Sequence, residues 1–396
     1  MKILFCIPSL DHGGAERQLT YLAAELARMG HDVHVAAARG PNLDRLKSSG
    51  VIWHSLGWHT KQDGSILFRL TRFIRIIAIW FRLVVLIQKL KPDVVQSILA
   101  PMDVLVGAAT RLTGTPWILK ESSCAALYDA LYGTDLKVWI RSFLGRMSNA
   151  IVSNSMGGHD YWHSALVGRP LHIIPNALSW DEMNNAGSDS IHFAVERNEK
   201  VVLCAGRIDL GKNVENVIIA LASIADDVAF TAVICGDGNR RQHAERLARG
   251  LGIAHRIFFT GYIDDLWAFL KRADVLVSLS LFEGCPNVVL EAMACGCPLV
   301  VSDIPAHREI LDESSASFVN PFRPTTAAEA IKFALTDGAS ARERASFAQA
   351  KVAGFTIEHT ARLYERLYLD VSSPTEARDR FQTTTGDDGE WKLSAN

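Results

Sequence analysis

The 396-residue sequence has almost no net charge, because 41 Lys and Arg residues stand against 43 Asp and Glu residues, a formal balance of −2. It therefore lacks the overall field that attracts nucleic acid or another polyanion, and any anion site must be local. It also lacks an even set of cysteines: there are seven, mostly beside Val, Ile, Leu or Ala. That pattern favours small buried thiols in a reducing compartment over a disulfide framework.

Two signals that would direct the chain to or across a membrane are missing. The apolar start at residues 3–8 is too short for a signal peptide and has no small-residue cleavage site, so we expect a cytoplasmic protein. Residues 65–91 are apolar apart from Arg and Lys, but their longest uncharged stretches, 76–81 and 83–88, fall far short of a membrane span. A span needs about 20 apolar residues.

The basic residues of this segment have a helical spacing. Arg72, Arg75, Arg82 and Lys89 would form one stripe along a helix. The stripe fits an interfacial helix in which the Arg69 to Lys91 segment lies on anionic lipid, making the protein peripheral on the inner face of the cell membrane. It equally fits a core helix of the first domain whose solvent face carries Arg. Both interpretations remain open.

Motifs for bound metals and dinucleotides are also scarce. No Asp-X-Asp occurs, which disfavours a site that holds a divalent cation on a diphosphate through such a pair. His159 and His163 have the spacing of zinc ligands on a helix, but no third ligand is evident. The glycines at 236 and 238 lack the third glycine of a dinucleotide fingerprint, which argues against a dehydrogenase. We therefore expect neither a metal nor a cofactor.

Alternating strand and helix patterns fill most of the chain. Strands are predicted at residues 3–7, 32–37, 93–96, 117–120, 150–153 and 172–174, and then at 201–205, 230–235, 256–259, 274–279 and 298–302. Strands this apolar indicate parallel sheets covered on both faces. The sequence therefore predicts an α/β protein of two doubly wound, Rossmann-like domains.

The domain boundaries follow from composition. The first domain is predicted at residues 1–178, a polar linker at 179–199 and the second domain at 200–356. Residues 357–371 have apolar residues at helical spacing, and we expect a closing helix that packs back on the first domain. Residues 372–396 offer little apolar material and are expected to be a disordered tail.

A loop and helix start in the second domain carry the strongest chemical signal. The run Phe282-Glu283-Gly284-Cys285-Pro286-Asn287 leads from a strand into a helix that contains Glu291. Pro286 suits the first turn of that helix, whose N-terminal amides would attract phosphate oxygens. Carboxylates do not suit phosphate, but they accept hydrogen bonds from the hydroxyls of a sugar and a ribose on either side of it.

Two basic residues belong to the same predicted sheet edge. Arg207 and Lys212 follow the first strand of the second domain, in a strand-to-helix loop of the kind that binds ligands in open α/β sheets. Arg supplies a planar fork and Lys a mobile point charge, a combination suited to a diphosphate.

Together these motifs resemble those of the family 4, or group 1, glycosyltransferases, which have the GT-B fold and retain the anomeric configuration of the donor sugar. The resemblance covers about residues 1–370 and is densest over 201–311. It rests on Gly13-Gly14-Ala15-Glu16-Arg17, Gly206-Arg207, Lys212-Asn213, Gly236-Asp237-Gly238, Phe259-Thr260-Gly261-Tyr262 and the pair Glu283 and Glu291. It implies two facing domains with the active site in the cleft between them, donor mainly in the second and acceptor in the first.

The resemblance also implies residue roles. Arg207 and Lys212 would hold the diphosphate of a nucleotide-sugar, and Glu283 would bind the donor sugar, making these three the catalytic candidates. The substrate-binding candidates are Gly13 and Gly14 near the sugar-phosphate, Gly238, Ile263 near the base, Asn287 and Val288 through their amides, and Glu291 on the ribose. The implied reaction is metal-independent hexosyl transfer, most simply from a UDP-sugar. The implied acceptor is a glycan or lipid-linked glycan in cell-surface polysaccharide synthesis, such as lipopolysaccharide or exopolysaccharide.

One departure from the family pattern keeps alternatives open. Many relatives have a His after the fourth strand of the first domain, where this chain has Gln96-Ser97-Ile98, and Glu121 or Ser122 is a candidate replacement. A nucleotide-sugar epimerase or hydrolase of the same fold, or a non-catalytic nucleotide-binding scaffold, therefore remains possible. The sequence leaves open the base, the sugar, the acceptor, the linkage and the oligomeric state.

Overall fold

A computed structural model describes residues 1–11, 13–39, 44–57, 66–122, 135–165, 168–187, 200–263 and 266–373. The chain divides into two compact units. Unit 1 contains Met1–Ala177 together with the chain from Ile357 onward, and unit 2 contains Leu178–Thr356.

Unit 1 is built on a parallel sheet of seven strands in the described residues, ordered β3-β2-β1-β4-β5-β6-β7. The strands are β1 (Lys2–Ser9), β2 (Asp32–Arg39), β3 (Ile52–Ser55), β4 (Val94–Ile98), β5 (Trp117–Glu121), β6 (Ala150–Ser153) and β7 (Leu171–Ile173). The helices are α1 (Gly14–Arg28), α2 (Asp44–Ser48), α3 (Ile66–Leu90), α4 (Ala100–Thr113), α5 (Asp135–Gly145), α6 (Met156–Ala165) and, at the far end of the chain, α15 (Ile357–Ser372).

Apolar cores cover both faces of this sheet. Ile3 and Phe5 of β1 pack with residues of α1 and α15, whereas Leu4 and Cys6 between them pack with residues of α3 and α4. This alternation follows from the two-residue repeat of a strand. Near-continuous apolar strands are therefore required, as the sequence indicated.

Helix α15 belongs to unit 1 although it lies far along the sequence. Tyr364 and Tyr368 are completely buried beside the first sheet, and the Tyr368 hydroxyl donates a 2.7 Å hydrogen bond to Oε1 of Gln96 in β4. The Lys120 ammonium lies 5.3 Å from the centre of the Tyr364 ring. These contacts attach α15 to the middle of the sheet.

Unit 2 is a second parallel sheet of six strands in the described residues, ordered β10-β9-β8-β11-β12-β13. The strands are β8 (Val201–Ala205), β9 (Thr231–Cys235), β10 (Ile257–Gly261), β11 (Val275–Ser278), β12 (Leu299–Ser302) and β13 (Ser317–Val319). The helices are α7 (Trp180–Asn185), α8 (Val214–Ser223), α9 (Arg241–Gly250), α10 (Leu266–Arg272), α11 (Asn287–Ala294), α12 (Pro305–Arg308), α13 (Pro324–Thr336) and α14 (Gly338–Val352), with a short 3₁₀ turn at Ala254–Arg256.

The prediction of two doubly wound α/β domains is confirmed, with differences at the sheet edges and in the linker. Strands β3 and β13, which the sequence analysis missed, are short edge strands whose residues are mostly half-buried or exposed, so they show no apolar run. Within the segment predicted as an irregular linker, residues 180–185 form α7, where only Met183 is buried. Helix α7 is too short to show a periodic pattern. Residues 188–199, like residues 374–396 of the predicted tail, lie outside the described part.

None of the helices in the described part of the chain combines the length and the hydropathy that a membrane span requires. In α3, Leu83 and Ile87 are buried against the first sheet, while Ile74, Ile77 and Phe81 are about half exposed or more. The side chains of Arg69 and Arg72 lie outside the described part. Arg82 donates a 2.9 Å hydrogen bond to the carbonyl of Leu56.

Candidate active site

The Lys212 and Glu283 side chains meet at the carboxyl edge of the second sheet. Lys212 lies in the loop after β8 and Glu283 in the loop after β11, and the two strands are neighbours. The Lys212 ammonium donates a short hydrogen bond to Oε1 of Glu283, across 71 positions in the sequence. The Ser280 hydroxyl donates a second bond, of 2.7 Å, to the same oxygen.

These contacts hold Glu283 in its ionised form. Burial raises the pKa of Glu283, but the charge of Lys212, its hydrogen bond and the Ser280 hydroxyl together outweigh burial. The net pKa lies below the usual value of a glutamate. At neutral pH the site therefore presents a carboxylate, which accepts hydrogen bonds and donates none.

Asn213 ties three loops of this edge together. It has a left-handed backbone conformation with φ of 54°, and its side-chain amide donates to the carbonyls of Leu279 at 3.1 Å and Pro321 at 2.8 Å. The amide of Leu281 adds a 2.8 Å bond to the carbonyl of Gly211. The loops that carry Lys212 and Glu283 are thus fixed to each other by backbone bonds as well as by the ion pair.

Arg207 differs from Lys212 in its surroundings. Its side chain is 77% exposed, and Nε lies 3.2 Å from Oδ2 of Asp209 in the same loop. An exposed ion pair of this kind contributes little to stability, so the guanidinium can reorient toward a ligand at small cost. The predicted pair therefore consists of one anchored and one exposed cation.

Helix α11 follows Glu283 as the sequence predicts. Pro286 is the N-cap residue and the helix begins at Asn287, so the amides of Asn287 and Val288 belong to the first turn, whose N–H groups have no acceptor within the helix. Glu291 lies one turn further and is only 3% exposed. Its burial distinguishes it from the partly accessible Glu283.

The loops after β8, β9 and β10 are joined by backbone hydrogen bonds. The amide of Ile208 donates to the carbonyl of Asp237 at 2.9 Å, and the amide of Gly236 to the carbonyl of Gly261 at 2.7 Å. At Gly238 a Cβ atom would lie 2.2 Å from the carbonyl oxygen of Ile208. The sequence analysis assigned Gly238 to substrate binding, but the packing of these loops already requires glycine there.

Gly13 in unit 1 has no such backbone neighbour. It is the N-cap residue of α1 with φ of −93°, and a Cβ atom there would meet the carboxylate of Glu16, the end of a flexible side chain. Gly14, the other predicted glycine, is the exposed first residue of the helix. The packing of the described residues around Gly13 does not demand glycine there, since only the end of the flexible Glu16 side chain would have to move.

The two glycines give a matched prediction. Gly238→Ala is expected to lower the free energy of unfolding by about 2–4 kcal/mol, because its clash is with backbone and cannot be relieved by a rotamer change. Gly13→Ala is expected to cost at most about 1 kcal/mol, because only a flexible side chain must move. Urea unfolding of both variants tests this. A Gly238→Ala protein as stable as the wild type would contradict the packing role assigned to Gly238.

A polar cavity of about 570 Å³ opens beside the loop after β9. It is lined by Asp237, Gly238, Asn239, Arg241, Gln242 and Glu245. Arg241 donates to the carbonyl of Phe259 in β10 at 3.2 Å, so the cavity adjoins the strand that leads to Ile263. Its lining offers both hydrogen-bond donors and acceptors.

Glu121, a candidate replacement for the missing His, is engaged in a buried ion-pair network of unit 1. It is 2% exposed, pairs at short range with Arg141 of α5 and accepts a 3.2 Å hydrogen bond from the Trp162 indole. Asp103 lies 3.6 Å from the same guanidinium and accepts a 2.7 Å bond from Ser97. Glu121 is therefore held in place by partners on two helices, Arg141 of α5 and Trp162 of α6.

This network predicts a pH-dependent effect on stability. Burial raises the pKa of Asp103 to about 6, although Arg141 and Ser97 act in the opposite direction. Deprotonation thus costs the folded state free energy above pH 6, and that cost disappears below the ordinary pKa of 3.8. Asp103→Asn, which leaves the pair of Arg141 and Glu121, is expected to raise the free energy of unfolding by up to about 3 kcal/mol at pH 8 and not at pH 4.

Urea unfolding at both pH values measures this effect, with the exposed Asp160→Asn as the control. A destabilised Asp103→Asn protein at pH 8 would show that Asp103 is needed as an anion.

The sequence analysis did not single out three buried residues that lie close to Glu283. Ser280 donates a hydrogen bond to Glu283, Ser302 donates to the Ser280 carbonyl, and His307 contacts the Ser302 carbonyl. Ser280 was detectable, since it lies just after a predicted strand at the ligand-binding edge. His307 carried no comparable signal, because a single His after a proline has no motif. Among the described residues, His159 and His163 stack with their ring centres 6.0 Å apart, and no metal-binding group of three or more His, Cys, Asp or Glu is found.

Comparison with known families matches both units. The model of glycosyl transferases group 1 matches residues 188–351, and the model of glycosyltransferase family 4 matches residues 12–181. The two matches together take in most of the chain.

Among curated relatives, a Campylobacter jejuni transferase is 26% identical over 384 residues, covering 94% of this chain and 99% of that protein. It is described as adding N-acetyl-D-galactosamine in α-1,4 linkage to GalNAc-α-(1→4)-GalNAc-α-(1→3)-diNAcBac-PP-undecaprenol. An uncharacterised glycosyltransferase of Methanocaldococcus jannaschii is 35% identical over 163 residues. That match covers 40% of this chain and less than half, 41%, of the relative.

Solved structures share the fold at low identity. Sucrose-phosphate synthase from Thermosynechococcus elongatus has a TM-score of 0.80 and 18% identity, covering 97% of this chain and 100% of that one. The Anabaena protein HepE, solved in complex with UDP-glucose, has a TM-score of 0.76 and 19% identity over 93% of this chain and 99% of its own. Fold and relatives together define a glycosyltransferase of the GT-B class. Within that class, the chain belongs to the group 1 glycosyltransferases.

Proposed function

We propose that this glycosyltransferase moves a hexosyl group, with retention of anomeric configuration, from a nucleotide-diphosphate sugar to a glycan or lipid-linked glycan. The observation that carries the proposal is the contact between Lys212 and Glu283 at the carboxyl edge of the second sheet. It supports the proposal because an ammonium suited to a diphosphate lies directly beside a carboxylate suited to sugar hydroxyls.

In the proposed reaction, some residues bind the leaving group and another binds the sugar. The ammonium of Lys212 and the guanidinium of Arg207 neutralise the diphosphate as the bond from the anomeric carbon to the phosphate oxygen breaks. The first-turn amides of α11 add a positive helix end. Glu283 accepts hydrogen bonds from hydroxyls of the donor sugar and holds the ring in place.

Retention follows if the acceptor oxygen bonds to the anomeric carbon on the face that the phosphate leaves. The acceptor proton then passes to an oxygen of the departing phosphate. No enzymic base is needed in this reaction. Because two cations and a helix end already offset the phosphate charge, we propose that no metal ion is required.

The proposed donor is a UDP-sugar. Support comes from HepE, whose structures contain UDP and UDP-glucose, and from the polar cavity beside Arg241. The proposed acceptor is linked to a lipid diphosphate, by analogy with the undecaprenol-linked glycan in the name of the Campylobacter relative. The corresponding process is synthesis of a cell-surface polysaccharide.

A thermal-shift screen with UDP, GDP, ADP, dTDP and CMP, with and without Mg²⁺, tests the donor site. A ligand at 100 times its dissociation constant adds about 2.7 kcal/mol of stability, so binding is readily seen. We expect UDP to stabilise the wild type without Mg²⁺ and to do so much less in Arg207→Ala. Equal stabilisation of both proteins would remove Arg207 from the site, and stabilisation that needs Mg²⁺ would overturn metal independence.

Donor turnover then separates transfer from the other reactions of this fold. We expect UDP release to depend on an added glycan acceptor. Release at catalytic rates without acceptor would indicate a hydrolase or epimerase. Binding of UDP without any turnover would indicate a scaffold.

We further propose that α3 contacts an anionic bilayer. Ile74, Ile77 and Phe81 are exposed at helical spacing, Lys89 is exposed near the end of the same helix, and residues 66–90 contain no acidic side chain. This combination is typical of interfacial helices. The proposed location is therefore the cytoplasmic face of the cell membrane.

Liposome flotation tests the membrane contact. The double variant Arg75→Glu and Lys89→Glu is suited to it, because Arg82 is left out as a residue that also bonds the Leu56 carbonyl. We expect the wild type to float with vesicles that contain phosphatidylglycerol and the variant to remain in solution. Binding that is independent of anionic lipid and survives both changes would refute the contact.

A further inference from the structure

Three buried polar residues of unit 2 are linked by hydrogen bonds to Glu283 or to one another. Ser280 is 1% exposed, and Ser302 and His307 are completely buried. Ser280 follows β11, Ser302 ends the neighbouring strand β12, and His307 lies in α12 just beyond it. None of them is required by the roles of Lys212 and Arg207 on a diphosphate.

Hydrogen bonds connect these three residues in series, by way of the main-chain carbonyls of Ser302 and Ser280. His307 Nδ1 lies 2.8 Å from the carbonyl oxygen of Ser302, and the Ser302 hydroxyl donates a 2.6 Å bond to the carbonyl of Ser280. The Ser280 hydroxyl then donates to Oε1 of Glu283 at 2.7 Å. Since a carbonyl oxygen only accepts, Nδ1 of His307 carries the proton in this series.

The series leaves the two oxygens of Glu283 in different states. Oε1 accepts from both Lys212 and Ser280, whereas Oε2 has no hydrogen bond to any described residue. A carboxylate with one oxygen held by two donors has a defined orientation, and its second oxygen remains available to a ligand hydroxyl.

The His307 ring is uncharged at neutral pH, because its pKa lies below the usual value of a histidine. Burial lowers its pKa, and the charge of Lys212 acts in the same direction, while the Ser302 carbonyl and Glu283 oppose them. Nε2 is buried and has no hydrogen-bond partner among the described residues. The ring therefore acts through Nδ1.

We propose that Ser280, Ser302 and His307 are positioning residues that orient Glu283, so that its Oε2 faces a hydroxyl of the donor sugar. They act through the carboxylate and do not touch the substrate. The inference rests on the proposed function, because it presumes that Glu283 meets the sugar of a nucleotide-sugar.

The consequence is a selective effect on sugar recognition. Loss of the series should leave binding of the nucleotide diphosphate unchanged, since that depends on Lys212, Arg207 and the start of α11. It should reduce the affinity gained from the sugar and the rate of transfer. A simple packing role would instead lower thermal stability. It would leave unchanged both the affinity gained from the sugar and the rate of transfer by the folded enzyme.

The first test is Ser280→Ala, which removes a single hydroxyl. A hydrogen bond to a charged group is stronger than one between neutral groups. We therefore expect its loss to lower kcat about 10-fold or more. The KM for donor should change less than kcat, and UDP affinity should stay within about twofold. Ser148→Ala is the matched control, because Ser148 is equally buried in unit 1 and donates to the Gly145 carbonyl at 2.7 Å.

The second test uses two replacements of His307. The Asn amide can place a donor where Nδ1 lies, so His307→Asn should recover most of the rate that His307→Leu loses. If both residues act through one carboxylate, the double variant Ser280→Ala with His307→Leu should lose less than the product of the single effects. Wild-type kcat in Ser280→Ala, or equal loss in His307→Asn and His307→Leu, would overturn the proposal.

A binding measurement separates failure of this inference from failure of the proposed function. The ratio of the dissociation constants of UDP and UDP-glucose reports the contribution of the sugar without turnover. A wild type that discriminates between the two, with an unchanged ratio in Ser280→Ala, refutes the positioning role alone. A wild type that binds neither ligand refutes both the proposed donor and the inference built on it.

Discussion

Glu283→Gln is expected to reduce sugar transfer by about 100- to 1000-fold, a loss of the size seen when one oriented group is removed from a preorganised site. Lys212 and Ser280 both donate to Oε1, so the amide oxygen of Gln would occupy that position. The amide nitrogen would then stand where Oε2 was. A donor replaces the acceptor that meets the sugar hydroxyl, although size and shape are almost unchanged.

The measurement is kcat for transfer together with the dissociation constant of UDP. Affinity for UDP should remain within a few-fold, because the diphosphate is held by other residues. Glu313→Gln is the control, since Glu313 is an exposed carboxylate of unit 2 that pairs with Arg308. A Glu283→Gln enzyme with more than about a third of the wild-type rate would exclude Glu283 from catalysis.

Lys212→Ala is expected to weaken UDP binding by about 10- to 100-fold and to change the pH dependence of transfer. Lys212 is the principal group that lowers the pKa of Glu283, whereas burial raises it. Without the ammonium, burial is opposed mainly by Ser280, and the pKa of Glu283 rises. The ionised carboxylate is then lost at a higher pH as the solution is acidified.

A pH–rate profile shows this directly. The wild type should keep Glu283 ionised between pH 5 and 8, since its pKa lies below the usual glutamate value. In Lys212→Ala the acid limb should move into or toward this range, while Lys212→Arg, which retains the charge, should keep the wild-type profile. Identical acid limbs in the alanine variant and the wild type would mean that the ion pair does not control Glu283.

The fold was predictable wherever strands are buried on both faces. The strand predicted at residues 201–205 coincides with β8, and those at 117–120 and 230–235 differ from β5 and β9 by one residue. The failures share a cause: β3 and β13 lie at sheet edges, where one side of each strand has no neighbour and the residues need not be apolar.

The site was predictable where chemistry depends on local sequence. Gly284 and Pro286 indicate a turn and a helix start next to Glu283, and α11 begins at Asn287. Gly238 shows the limit of such reasoning, because the sequence does not reveal that the Ile208 carbonyl lies where its Cβ would be. Glu121 shows it again, since its partner Arg141 is 20 positions away.

The sequence by itself determined the α/β class, the edge of the second sheet that carries the charged residues and the residue types available there. Periodicity and turn chemistry are local properties, so they can be read along the chain. The tertiary structure decided which oxygen of Glu283 is held and which is left for a ligand. That outcome depends on the parallel neighbours β8, β11 and β12, which bring Lys212, Ser280 and Ser302 together from distant positions.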